Sequence, residues 1–316
     1  MTLTELRYVV ALAREKHFGR AAAACFVSQP TLSVAIKKLE QELNVTLFER
    51  SMQDVHLTAM GEKVVAQAQR VLGEVAAIKE MVQENINPAS GTLQLGMIYS
   101  IAPYLLPQLM PHLIATASEL QLIVQEDFTH KLLERVKQGS LDAAIVALPI
   151  SDAGLSMANL YDEDFYVALA KNHRLAKAKT IDASELSDDA LLVLGAGHCF
   201  RDQVLLANPN IKPFKIEQEG LHKTFEGTSL ETLRHMAASG IGITVLPALA
   251  VPPRTGGEDG LRYLPFNQPS PSRRVVLVWR KNYSREAACQ ALAHMVRVCG
   301  VDNIRGVVTA VTEHSV

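Results

Sequence analysis

The sequence predicts an α/β protein in three parts: an N-terminal winged helix-turn-helix, a long connecting helix, and a larger region where strands and helices alternate. Three observations carry this. Residues 29–43 place apolar side chains at helical spacing behind a capping serine. Residues 57–82 repeat them every seven positions. From residue 88 onward, short β-rich runs alternate with helix-patterned ones, as in a sheet covered by helices. At 316 residues the chain is long for one core and suggests two or three domains.

Composition narrows the class. Hydrophobic residues make up 48%, ordinary for a globular protein. The net charge of −2 does not advertise nucleic acid. The start, Met1 to Arg7, lacks the basic and apolar segments of a signal peptide, and no apolar run approaches the ~20 residues that span a bilayer. No membrane contact is expected, and the expected compartment is a reducing cytoplasm. Cys25, Cys199, Cys289 and Cys299 show no Cys-x-x-Cys pair and no metal-ligand spacing, so neither metal nor cofactor is expected.

Taken in order, Leu6, Val9, Val10, Leu12 and Ala13 mark a first helix. Phe18 to Cys25 is a short Ala-rich helix whose small residues let another helix cross closely; Cys25 reads as core. Ser28 is a good N-cap and Pro30 fits the first turn. Leu32, Ala35, Ile36, Leu39 and Leu43 then form one stripe. Gln29, Thr31, Ser33, Val34, Lys37 and Lys38 form the opposite face. Two helices, a tight turn and a polar, basic second helix make a helix-turn-helix. Such a helix enters the major groove, with its N-terminal side chains nearest the base edges. Gln29, Thr31 and Ser33 are therefore expected to read bases, and Lys37, Lys38 and Arg50 to neutralise phosphates. Residues 47–50 and 55–57 would form the wing.

Leu57, Val64, Val71 and Ile78 recur every seven residues, and Ala68, Val75 and Val82 fill the offset positions. That seam predicts a dimer-forming helix over 58–87, and a dimer implies a two-fold-related DNA site. Strands are expected at 92–98, 120–125, 143–147, 165–169, 191–194, 242–246 and 275–279. Helices are expected at 102–115, 131–138, 230–239 and 284–300. On the last, Cys289, Leu292, Val296 and Cys299 share a stripe, so both cysteines read as core.

The chemistry concentrates in Gly195-Ala196-Gly197-His198-Cys199-Phe200-Arg201-Asp202-Gln203. Cys199 falls where a strand ends and a helix begins. Glycines ease the turn, the helix N-terminus favours an anion, and His198 and Arg201 add positive charge. Each favours the thiolate, the reactive form of cysteine.

The run FGRAAAACFVSQPTLSVAIKKLEQELNVTLFERS, with LTAMGE after it, resembles the DNA-binding domain of LysR-type transcriptional regulators. Further on, GHCFRDQ, TSLETLR, GITVLP and Asp127-Phe128-Thr129-His130 resemble the peroxide-sensing branch of that family. The resemblance implies two regulatory subdomains of periplasmic-binding-protein type, 88–163 with 269–301 and 164–268, and a tail at 302–316. It implies a peroxidatic Cys199 in a pocket lined by Thr129, His198, Asp202 and Arg273, with Ser100 where the family usually has threonine. It also implies double-stranded DNA, hydrogen peroxide, RNA polymerase and further copies of the chain, up to a tetramer, as partners. The family's resolving cysteine lies nine residues after the peroxidatic one; here that position is Asn208. The expectation is a non-enzymatic regulator of oxidative-stress genes, acting as activator or repressor. The rivals are a LysR-type regulator that binds a metabolite and a thiol peroxidase.

Overall fold

The computed structural model describes residues 1–50, 55–84, 87, 89–150, 154–209, 215–218, 221–224, 227, 229–252, 260–300 and 304–306. The side chains of Arg50 and Val82 and nearly all of the 302–316 tail lie outside what is described. The chain divides into two compact units: 1–87 with 134–141, and 88–133 with 142–316.

In the first unit, α1 (Leu3–Glu15) starts at a capping box between Thr2 and Glu5. α2 (Phe18–Ala24) is capped by the His17 ring, whose Nδ1 accepts from the Gly19 and Arg20 amides. α2 ends in a Schellman motif: Phe26 N–H bonds Ala23 O, and Val27 N–H bonds Ala22 O. The left-handed position belongs to Phe26, at φ 56° and 96% exposed. α3 (Gln29–Leu43) starts at Ser28, whose hydroxyl accepts from the Thr31 amide. Its stripe Leu32, Ile36 and Leu39 is buried against Val9, Leu12, Ala21 and Ala22. β1 (Phe48–Arg50) and β2 (Val55–Leu57) form the wing hairpin. Glu40 ties the wing to α3, accepting from the Leu47 and Phe48 amides at 2.7 and 3.2 Å. α4 (Ala59–Glu84) packs on α1. A side chain at Gly61 would meet the Leu47 carbonyl oxygen at 2.1 Å, so only glycine fits there.

The heptad seam is covered unevenly within its own unit. Ala68 is buried, Val71 and Val75 are half-buried, and Ile78 is exposed. Cys25, expected in the core, is the C-cap of α2 and only half-buried, because the helix ends there. Its thiol is still pushed up by burial.

From Gly91 onward the elements run β3 (Gly91–Met97), α5 (Ala102–Thr116), β4 (Leu120–Glu126), α6 (Thr129–Gln138), β5 (Ala143–Ala147), β6 (Leu155–Ala170) and β7 (Leu191–Leu192). There follow α7 (Cys199–Ala207), β8 (Lys215–Gln218), β9 (Leu221–Thr224), α8 (Leu230–Ala238), β10 (Ile243–Pro247), β11 (Leu261–Pro265), β12 (Ser272–Arg280), α9 (Glu286–Val298) and β13 (Arg305–Gly306). The main sheet has the order β4-β3-β5-β12-β6-β10-β7, with β11 and β13 also on β6. Among the described strands, parallel pairing is confined to β3 with β4 and β5 and to β10 with β7, with isolated parallel bridges at Ile181–Phe266 and Leu194–Gly227. β6 runs out, and 261–280 runs back along it: β11 pairs with Tyr166–Ala170 and β12 with Leu155–Asp164. An outgoing and a returning strand are necessarily antiparallel, so the sheet is mixed and not all-parallel. Pairing along β6 passes from β12 to β10 and β11 beyond Asp164. From Phe165 on, β6 belongs to a core with Leu192, Phe200, Leu233 and Val245.

Cys289 is fully buried and its thiol is pushed up to about 12 by burial. Cys299, also expected in the core, is only half-buried. It caps α9 after the last turn, and its Sγ donates to the Val296 carbonyl at 3.2 Å.

Candidate functional site

Cys199 is the first residue of α7, with His198 at the N-cap. The approach from β7 is held by the Gly195 amide donating to the Gly227 carbonyl at 2.8 Å. Gly197 turns the chain at φ 93°, and a Cβ there would press on Phe128 at 3.3 Å. These constraints deliver Cys199 into a small cavity lined by Ile98, Tyr99, Ser100, Asp127, Phe128, Thr129, Gly197, His198 and Phe200. Its volume of about 10 Å³ is that of one water-sized molecule. Two helix starts open on it, α6 at Thr129 and α7 at Cys199. Their first N–H groups, which lack an intrahelical carbonyl, favour negative charge there.

Two hydroxyls serve this cavity. Ser100 Oγ accepts from Arg273 Nη1 at 2.8 Å, and the Ser100 carbonyl accepts from Nη2 at 3.0 Å. With its acceptor side occupied, the Ser100 O–H is left to donate. Thr129 Oγ1 is buried and has no partner in the chain. A buried unpaired hydroxyl costs about 1–3 kcal/mol, which a bound polar molecule would recover. Arg273 does not line the cavity; it stands behind Ser100, buried, with its guanidinium 4.9 Å from the Phe200 ring. Its Nε donates to Glu163 Oε1 at 2.7 Å, and Glu163 Oε2 accepts from the Leu249 amide at 3.1 Å.

Several expectations need correcting. His198 supplies no positive charge: burial lowers its pKa below the ordinary 6.5, so the ring is neutral at pH 7. It is packed edge-on to Phe128, with ring centroids 4.8 Å apart, and 5.6 Å from Tyr99. Arg201 turns back to donate to the Leu194 carbonyl at 2.8 Å. Asp202 is exposed on the first turn of α7 and does not line the cavity. Tyr99, Phe128 and Glu163 carry no role in the sequence reading, yet the first two wall the cavity and the third anchors Arg273. Phe128 could have been found beside Thr129, within a run that already drew notice.

Asn208 caps the far end of α7. It is 1% exposed, its Nδ2 donates to the Val204 carbonyl at 2.8 Å, and its Oδ1 is unpartnered. A larger groove of about 560 Å³ lies apart from Cys199, between α5, α8 and residues 249–252. Tyr104 crosses it to donate to Glu231 at 2.9 Å, and Glu231 pairs with Arg234.

On the helix-turn-helix, Gln29 and Lys37 are exposed and Ser33 is half-exposed. Thr31 is exposed, but its hydroxyl shares a 2.8 Å hydrogen bond with Ser28 in the helix cap. Lys38 is 3.4 Å from the Glu5 carboxylate, so its charge is already paired. Arg50 contributes backbone to the wing; its side chain is outside the description. Among the described residues there is no three-residue metal-binding group, and no helix is long and apolar enough to cross a membrane.

Residues 3–62 match the family described as "Bacterial regulatory helix-turn-helix protein, lysR family", and residues 87–298 match the "LysR substrate binding domain". The chain therefore belongs to the LysR family of transcriptional regulators. Within the family it falls among the OxyR proteins. It is 41% identical over 298 residues to the "DNA-binding transcriptional dual regulator OxyR" of Escherichia coli K12, covering 94% of this chain and 95% of that one. Its fold matches a full-length OxyR from Pseudomonas aeruginosa with a TM-score of 0.81 and 46% identity, covering 95% and 96% of the two chains. A peroxide-bound OxyR mutant from Corynebacterium glutamicum matches at 0.63 with 33% identity, covering 94% and 92%.

Proposed function

We propose that the chain is a cytoplasmic DNA-binding regulator of oxidative-stress genes that senses hydrogen peroxide through Cys199. The observation that carries this is one cavity, about 10 Å³ in volume, shared by Cys199, Ser100 and the unpartnered Thr129 hydroxyl. The Cys199 thiolate attacks one peroxide oxygen. The O–O bond breaks, a sulfenic acid forms, and the leaving hydroxide takes up a proton to become water. Ser100 and Thr129 orient the peroxide, and the helix starts stabilise the departing anion. Arg273 positions Ser100.

Asn208 leaves no thiol at the far end of α7, so the sulfenic acid, an amide-derived sulfenamide or a mixed disulfide made from it is the signal. The scaffold is organised as DNA-binding residues 1–57, a dimerising helix at 58–87 and two regulatory halves, 88–163 with 269–301 and 164–268. A dimer, or a tetramer of two dimers, holds a two-fold-related DNA site beside RNA polymerase. A metabolite needs ~300 Å³ or more, which counts against its binding beside Cys199. A thiol peroxidase that resolves its sulfenic acid within the chain needs a second thiol near α7, which Asn208 does not supply.

The test is mass spectrometry of the reduced full chain after stoichiometric peroxide, with a sulfenic-acid probe present. The probe should label Cys199 first. Labelling of Cys25 or Cys299 ahead of it would end this reading.

A further inference from the structure

The exposed side of α3 is polar in character, yet its centre is not. At 100° per residue, Val34 lies almost opposite the buried Leu32, Ile36 and Leu39. It is 68% exposed. Pro30, four residues earlier, and Lys37, three later, are its exposed neighbours along the same face. Two of the residues expected to use this face are engaged within the chain: Thr31 in the cap hydrogen bond and Lys38 with Glu5. An apolar patch, Pro30 with Val34, thus occupies the middle of the surface that a recognition helix turns to the major groove.

We propose that Val34 is a specificity-determining residue that reads the 5-methyl group of a thymine in each half of the DNA site. The inference rests on the DNA-binding reading above. In the major groove only thymine presents an apolar group; the other base edges present hydrogen-bonding atoms that an isopropyl group would leave unpaired. A valine placed there therefore favours thymine by attraction and disfavours the alternatives by desolvating them. Lys37, one turn on, is placed to hold a phosphate and fix the register.

The experiment uses the full chain. Binding sites are selected from random duplex DNA, and each thymine of the selected site is then replaced singly by deoxyuridine, which removes only the methyl group. One position in each half-site should lose about fourfold in affinity, the factor for one methyl withdrawn from an apolar contact. Replacing both should compound the loss to about fifteenfold. Val34→Ala should bind the uracil and thymine duplexes alike at that position, while Val34→Ile should keep the difference. Uracil tolerated at every position would overturn the proposal, as would a uracil effect that persists unchanged in Val34→Ala. A selection that enriches no duplex would remove the DNA-binding reading itself, and this proposal with it.

Discussion

Asn208→Cys restores a thiol nine residues after Cys199, and the consequences can be worked from α7. The reduced variant should be about as stable as the parent. The buried amide makes one hydrogen bond and leaves Oδ1 unpaired, so replacing it with a small apolar thiol should change stability by less than about 1 kcal/mol. Oxidation is different. Residues 199 and 208 bracket the helix, and nine steps of about 1.5 Å separate their Cα atoms by roughly 13–14 Å. A disulfide needs about 7 Å or less. The bond can close only if α7 opens, which withdraws buried Phe200 and Val204 from the core at about 1.5–3 kcal/mol each. Peptide mapping after stoichiometric peroxide should find Cys199 joined to the new cysteine. Hydrogen exchange should show amides 203–207 protected when reduced and open when oxidised, with a dithiol restoring protection. A disulfide formed while those amides stay protected would refute the geometry. A Cys199 disulfide within the unmodified chain would refute the single-thiol account.

Three other outcomes are expected. Thr129→Val deletes a hydroxyl with no partner in the chain, so thermal stability should hold or rise while Cys199 sulfenylation slows by on the order of tenfold or more, measured by stopped-flow probe labelling. Burial depresses the His198 pKa, so below about pH 6.5 the unfolded chain binds a proton that the folded chain resists; stability should fall as pH drops through that window. Denaturant midpoints at pH 7.5 and 5.5 should show this fall in the parent and a smaller one in His198→Phe. Phe26→Asn should raise stability by about 0.5–1 kcal/mol in equilibrium unfolding, because asparagine tolerates the left-handed position and the exposed ring loses no burial.

Where local signals agree, the sequence was readable. Ser28, Pro30 and the stripe from Leu32 to Leu43 define one helix, and the structure has it over Gln29–Leu43. Gly197 and the apolar run before it place Cys199 at a helix start, because turn and strand are both written in adjacent residues. The first half of β6 was not readable. Asp162, Glu163 and Asp164 interrupt its apolar pattern, yet Glu163 is wholly buried because Arg273, 110 residues away, pairs with it. No window along the chain contains both partners. The cavity walls have the same origin: Tyr99, Phe128 and His198 come from the three segments that lead into α5, α6 and α7, and only the fold makes them neighbours. The charge assigned to His198 failed for a related reason, since its desolvation depends on those neighbours.

β6 has one more consequence. Its sixteen residues span about 50 Å as a single uninterrupted strand through both parts of the sheet. Any swivel of one part against the other must wind this strand like a torsion bar. Glu163 sits where the pairing partner changes, and Arg273 pairs with it in register as well as through its side chain. The same guanidinium holds Ser100 at the cavity. The side chain that holds Ser100 at the Cys199 cavity and the side chain that grips the bar at Glu163 are thus one and the same, Arg273.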